Sequence, residues 1–157
     1  MPTTLPEIRE FLSQKRIAIV GLSRNPKDLS RMLFRDLKQR GYDVVPVNPA
    51  IDEIEGTKCF ARVQDATPPV DAALLMTSPQ ITEEVVRDCS AVGIRRVWMH
   101  SGGGQGSVSK EAVAFCKANG IHVVEGYCPF MFLPDEPWIH RAHGFIMKLT
   151  RRYPAAA

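Results

Sequence analysis

The amino-acid sequence predicts an α/β fold: a doubly wound parallel sheet of about five to six strands, with a flanking helix at each end of the chain. Three observations carry that expectation. Short apolar runs rich in Val and Ile alternate with amphipathic stretches, and an unbroken apolar run is what a strand covered on both faces requires. Three of the amphipathic stretches stop at a glycine, Gly41, Gly93 and Gly120, each followed almost at once by a new run, as helices do when a glycine takes the left-handed position after the last turn. The first run, residues 17–20, meets Gly21 and then polar residues before a helical pattern begins. That is the order of a strand, a phosphate-binding turn and a helix.

The elements follow in order. Thr4 and Glu7 form a capping box with Pro6 in the first turn, and Leu5, Ile8, Phe11 and Leu12 make an apolar stripe, so a leading helix is predicted. Strands are predicted at "RIAIV" (16–20), "DVVPV" (43–47), "DAALLM" (71–76), "RVWMH" (96–100) and "IHVVE" (121–125). Helices are predicted over residues 28–39, 80–91 and 107–118. The stretch 48–69, with its prolines and "EIEGTKCF", adds at most a short edge strand near residues 58–60. Alternating β and α of this kind implies right-handed crossovers with helices on both faces. After Pro129 the pattern changes: Trp138, Ala142, Phe145 and Leu149 recur at helical spacing. This terminal helix reads as packed across the sheet, or alternatively as a homodimer contact or a surface for another protein. The whole chain, 1–157, reads as one domain, with a core over 15–130 and a helical extension over 131–157.

Composition excludes several classes. At 157 residues, 45% apolar and 24% charged, the chain has the profile of a globular domain with a real core. A net charge of +3 suits one anionic small molecule, whereas nucleic acid calls for a basic stripe that is missing here. The N-terminus carries Glu7, Arg9 and Glu10 and no long apolar core, so no signal peptide is expected. No apolar run approaches membrane-span length. Cys59, Cys89, Cys116 and Cys128 show no C-x-x-C spacing and read as reduced cytoplasmic thiols, mostly buried on helices.

In a parallel sheet the strand-to-helix loops emerge at one edge, and ligands bind there near the point where strand order reverses. That edge gathers residues 21–25, Asn48 and Pro49, residues 76–79, 100–104 and 126–129. Gly21 allows a tight turn and close approach of a ligand to the main chain. The amides after it, from Leu22 onward, and the helix start near Asp28 or Ser30 offer donors to a phosphate. Ser23 adds a hydroxyl, and Arg24, Lys27 and Arg31 add cations. A plain tight turn with solvated charges is the competing reading. The dinucleotide fingerprint fails: Ser23 and Pro26 stand where its second and third glycines belong, and Asn48 stands where an acidic residue would hold the ribose. The Arg that an NADP site would want at that strand end is missing too.

Together, "VGLSRNP", "LFRDLKQRGYDVVPVNPAIDEIEGTKCF", "VDAALLMTSP" and "GYCP" resemble the small stand-alone coenzyme A-binding proteins with a Rossmann-like domain, which is shared with the α-subunits of succinyl-CoA-type ligases. The resemblance runs from about Arg16 to Met131. It implies that Gly21, Ser23 and Arg24 match the turn cradling the coenzyme phosphates. Asn48 and Pro49 match the loop beside the adenosine. Thr77, Ser78 and Pro79, entered through Met76, match the loop lining the adenine and pantetheine path. Arg24 and Lys27 suit the additional ribose phosphate of CoA. The implied function is non-catalytic binding of coenzyme A or a short acyl-CoA, as a sensor or carrier, with the thioester end toward His100 or Cys128. The loop "HSGGGQGS" is richer in glycine than the usual family loop. The chain ends soon after the sheet, so the phosphohistidine chemistry of the full ligases is expected to be absent.

Rival chemistries are weaker. An NAD(P)-dependent oxidoreductase is opposed by Ser23, Pro26 and Asn48, and a ligand-free protein-interaction subunit would use the aromatics of the tail. Cys128 could form a mixed disulfide with the coenzyme thiol, against the alternative of simple burial. His140 and His143 could share a metal ion but lack a third ligand. "GLSRN" misses the closing glycine of a nucleophile elbow, and "SGGGQGS" misses the Gly-Lys-Ser/Thr ending of a P-loop.

Overall fold

Thr4 opens helix α1 (Leu5–Leu12) through a reciprocal capping box: its hydroxyl accepts the Glu7 N–H, and the Glu7 carboxylate accepts the Thr4 amide at 2.7 Å. The structure is a computed structural model and describes residues 2–134 and residue 154. Strand β1 (Arg16–Val20) is followed by α2 (Leu29–Gln39), β2 (Asp43–Val47), and a two-residue pair, β3 (Glu53–Ile54) and β4 (Thr57–Lys58). Then come β5 (Ala72–Leu75), α3 (Pro79–Ala91), β6 (Arg96–Met99), α4 (Lys110–Ala118) and β7 (His122–Glu125). Helix α2 ends as the glycine pattern predicts: Gly41 sits at φ +92° and the Tyr42 amide reaches back to the Leu37 carbonyl.

Five strands form one parallel sheet in the order β2-β1-β5-β6-β7. Ile17 is level with Val44 on one side and Ala72 on the other. Because β2 lies outside β1 while β5 lies on its other flank, strand order reverses between β1 and β5. The two-residue side-chain period splits each strand between two cores. Ile17, Ile19, Leu74, Trp98 and Val124 pack with α1 and α2. Ala18, Val20, Leu75, Val97, Met99 and Val123 pack with α3 and α4. This is the Rossmann-like, doubly wound arrangement, covered on both faces.

Two details depart from the sequence expectation. The edge strand expected near residues 58–60 is instead a hairpin of β3 and β4 closed on itself, turning through Glu55 and Gly56 at positive φ. Two left-handed residues match the twist of a tight hairpin, and only Phe60 reaches the main sheet, as a single bridge to Val47. The helix expected from Ser107 starts at Lys110 with Ser109 as its cap. Ser107 is buried instead, its hydroxyl within hydrogen-bonding distance of the Leu75 and His100 carbonyls. The terminal helix, with Trp138, His140, Ala142, His143, Phe145 and Leu149, lies outside the described residues.

Candidate functional site

The carboxyl ends of β1, β2 and β5 carry three loops that are tied to one another. Gly21 leaves β1 at φ +91°, with its N–H on the Val47 carbonyl. It comes so close to the β5 loop that a Cβ there would lie 2.7 Å from the Met76 carbonyl oxygen. Asn48 clips the second loop to the first: its amide Nδ2 donates to the Leu22 carbonyl at 2.7 Å, and its Oδ1 accepts the Ala50 N–H at 2.8 Å. Arg24 crosses the same gap, donating to the Ala50 carbonyl at 3.0 Å. The residue type at the end of β2 therefore follows from loop bracing. A neutral amide can both donate and accept, which a carboxylate cannot.

The turn between Gly21 and α2 is braced from beneath. Ser30 is buried and its hydroxyl accepts the Ser23 amide at 3.0 Å. The Ser23 hydroxyl accepts the Asn25 amide. Arg31 points inward, only 8% exposed, and its guanidinium donates to the carbonyls of Ser23 and Arg24. It also pairs with Glu55 at 3.1 Å. Hydrogen bonds from Arg35 and Arg31 hold the Glu55 carboxyl below the usual carboxylate range. Arg31 is thus a strut of the turn, while Arg24 and Lys27 remain on its exposed outer side. Leu22 is fully buried in the α2-side core.

The starts of α2 and α3 at this edge differ electrostatically from each other. Asp28 caps α2, accepting both the Ser30 amide and the Ser30 hydroxyl, so that terminus already faces a carboxylate. Ser78 caps α3 with a neutral hydroxyl, and Pro79 occupies its first position. Only the second start keeps its partial positive charge uncompensated by its own cap.

A cleft of about 560 Å³ opens between these loops and α3. Val20, Val47, Val63 and Val85 form an apolar base, and Ile81, Glu84 and Asp88 line it from α3. Of the residues nominated from sequence, Gly21, Asn48, Pro49 and Thr77 line this cleft. Leu22, Ser23, Arg24, Lys27, Met76 and Ser78 belong to the adjoining loops, and Ser30 and Pro79 to the first turns of α2 and α3, all outside the lining. The Thr77 hydroxyl shares a 2.7 Å hydrogen bond with Thr82. Sequence reasoning missed Arg62, Ile81, Glu84 and Asp88. Arg62 and Asp88 form an ion pair at 2.7 Å, between segments that only the fold brings together. Ile81 did carry a signal: it lies off the buried stripe of Thr82, Val85, Val86 and Cys89, and is 44% exposed.

His100 and Cys128 sit apart from the cleft. Cys128 is buried in the core that packs α1 and α2, and burial pushes its thiol pKa up. His100 follows β6, is 8% exposed, and its Nε2 has no hydrogen-bond partner among the described residues. Burial holds the imidazole below its ordinary value of 6.5, hence neutral at pH 7. All four cysteines are free and buried, with Cys89 and Cys116 pushed up to about 12 and about 11. Cys89 and Cys116 lie on helices, whereas Cys59 and Cys128 lie in loops. Among the described residues no His, Cys, Asp or Glu cluster fits a metal ion, and no helix is long and apolar enough to cross a membrane.

A parallel sheet with a cleft outside its carboxyl ends, at the reversal of strand order, defines the class: a Rossmann-like α/β domain with a crevice at the switch point, where such domains bind ligands. The chain belongs to the CoA binding domain family, whose profile matches residues 15–134. It is 33% identical over 127 residues to the uncharacterized protein YneT of Bacillus subtilis (strain 168), covering 78% of this chain and 88% of that one. The solved structure of a hypothetical protein from Pyrococcus horikoshii OT3 superimposes with a TM-score of 0.75 at 30% identity, covering 82% of this chain and 91% of the other. An ADP-forming acetate–CoA ligase II of Archaeoglobus fulgidus is 31% identical over 102 residues, which span 64% of this chain and 15% of the ligase.

Proposed function

We propose that this protein binds coenzyme A or a short acyl-CoA without transforming it, as a sensor or carrier in the cytoplasm. The observation that carries this reading is the cleft at the switch point. Its volume of about 560 Å³ falls within the range of small-molecule sites. Its valine base and the exposed Ile81 offer two apolar surfaces to a flat base, with Asn48 and Pro49 on one side and Thr77 on the other. The phosphates lie over the turn from Gly21 to Arg24, within reach of Lys27 and of the Ser78–Pro79 start of α3. The additional ribose phosphate falls to Arg24 and Lys27, which are exposed on the same side of the turn. Membership of the CoA binding domain family supports the ligand class. The buried, raised thiols support binding over covalent chemistry, and four free thiols fit a reducing compartment.

A thermal-shift panel of coenzyme A, acetyl-CoA, dephospho-CoA, NAD and NADP tests this. A ligand at a hundred times its Kd adds about 2.7 kcal/mol of stability. The expected result is a larger shift with the two CoA forms than with dephospho-CoA or either nicotinamide. A preference for NAD or NADP would replace the reading with a dehydrogenase-type site. No shift with any of the five would leave an interaction domain.

A further inference from the structure

We propose that Glu84 and Arg62 read the edge of the nucleobase, so that the cleft selects adenine over a 6-oxopurine. The Glu84 carboxylate accepts from the exocyclic amine, and Arg62 Nη1 donates to the neighbouring ring nitrogen, N1. This rests on the coenzyme A reading above, and it gives a role to two residues that neither the sequence motifs nor the resemblance they carry singles out.

The cleft is not electrically uniform along its length. Helix α3 starts beside the Gly21 turn with Pro79 in its first position, and presents Ile81, Glu84, Val85 and Asp88 to the cleft. That is the i, i+3, i+4, i+7 spacing of a single helix face. At 1.5 Å per residue, Glu84 lies about 8 Å and Asp88 about 14 Å along the axis from Pro79. The apolar contacts of Ile81 and Val85 are thus interleaved with two carboxylates that stand progressively farther from the turn. Two carboxylates against one guanidinium disfavour a phosphate there. The uncharged end of the ligand belongs at this end, and in a nucleotide that end is the base.

Arg62 is fixed where it can meet the edge of such a base. Its neighbour Val63 is buried in the core shared with α3, which sets the approach of the segment. Arg62 Nη2 donates to Asp88 Oδ1 at 2.7 Å, and Nε donates to Oδ2 at 3.3 Å. With its amide turned to satisfy both neighbours, Gln64 donates to Asp88 Oδ2 at 3.0 Å and accepts from Arg62 Nε at 3.2 Å. A two-point pair of this kind holds the plane of the guanidinium. The hydrogen bond to Asp88 raises its pKa, and the charges of Asp65 and Glu84 add to that. Nη1 is left over: among the described residues it makes no hydrogen bond, and the Arg62 side chain is 58% exposed. Glu84 is exposed as well, and its carboxylate makes no hydrogen bond or ion pair among the described residues.

The cleft therefore offers a carboxylate acceptor and, within electrostatic reach of it, a guanidinium donor. Adenine presents the complement, an amine that donates beside a ring nitrogen that accepts. Hypoxanthine and guanine reverse both atoms: a carbonyl oxygen would face the carboxylate and a ring N–H would face the guanidinium. A site set for one pattern rejects the other because its own polar groups are left unpaired.

Titration calorimetry with coenzyme A and its hypoxanthine counterpart decides it, since the two share every phosphate and the whole pantetheine arm. The wild type should bind coenzyme A about tenfold more tightly, as one hydrogen bond to a charged group predicts. Glu84→Gln puts an amide in place of the carboxylate, able to accept or donate, and should bring the two affinities to within about twofold. Arg62→Met keeps the stem and removes the donor, and should also lower the ratio. The bridge of 1,N6-etheno-CoA occupies both edge atoms, so that ligand should bind no better than the hypoxanthine form. Equal wild-type affinities for the two coenzymes, or a ratio unmoved by Glu84→Gln, overturn this inference and leave the coenzyme A site standing. A wild type that binds neither removes both.

Discussion

Gly21 and Met76 meet main chain to main chain beside the cleft: with a Cβ on Gly21, its distance to the Met76 carbonyl oxygen would be 2.7 Å. The turn after β1 and the loop after β5 are therefore one wall, and glycine is required there for two reasons at once. Its φ of +91° is disfavoured for any side chain, and the space for one is already filled.

Gly21→Ala should accordingly cost about 1–3 kcal/mol in backbone strain, with overpacking of similar size added. Urea denaturation should show a clearly lowered midpoint, and ligand affinity should fall with it. A wild-type midpoint would mean that the two loops separate readily.

Arg24 bridges the first and second loops through the Ala50 carbonyl and is otherwise on the exposed side of the turn. Its replacement by alanine should weaken coenzyme A several-fold more than dephospho-CoA, as a charge-assisted contact to a phosphate predicts. The difference should shrink at high salt, because exposed charges are screened. Equal losses for the two ligands in titration calorimetry would show that Arg24 does not touch the additional phosphate.

Asp28 places a carboxylate at the start of α2, beside the proposed phosphate position. Asp28→Asn keeps a good cap and removes the charge, so stability should change little while coenzyme A binds more tightly at low ionic strength. Asp28→Ala removes the cap itself and should cost about 0.5–2 kcal/mol. Tighter binding only in the alanine variant would argue against the electrostatic account.

The imidazole of His100 sets a pH dependence of folding. Burial lowers its pKa in the folded state below 6.5, so on acidification the unfolded chain takes up the proton first. Stability linked to this group is complete above the unfolded value and is lost as pH falls through the folded one. The stability of the wild type relative to His100→Leu should therefore decline between pH 7 and pH 5, measured by denaturant titration at each pH. A constant difference across that range would contradict burial of a neutral ring.

Most of the architecture was legible because its signals are local. The Thr4–Glu7 box, the glycines that end α2, α3 and α4, and the Val-rich strands each act within a few residues, so helix caps and side-chain periods can be read one segment at a time. The loops that would meet at the sheet edge followed from topology, which placed Gly21, Asn48, Pro49 and Thr77 along one cleft.

What tertiary structure alone decided is where each polar side chain spends its hydrogen bonds. Arg31, legible as a cation of the turn, is turned inward by Glu55 and two carbonyls. Ser107 became a buried brace for β5 and β6. Arg62 lines the cleft two residues past the Phe60–Val47 bridge, where Asp88 of α3 pairs with it. Pattern and propensity fix which segments form, since their energies depend on near neighbours. The direction and partner of a charged or hydroxyl side chain depend on groups tens of residues away, whose positions exist only once the sheet has closed.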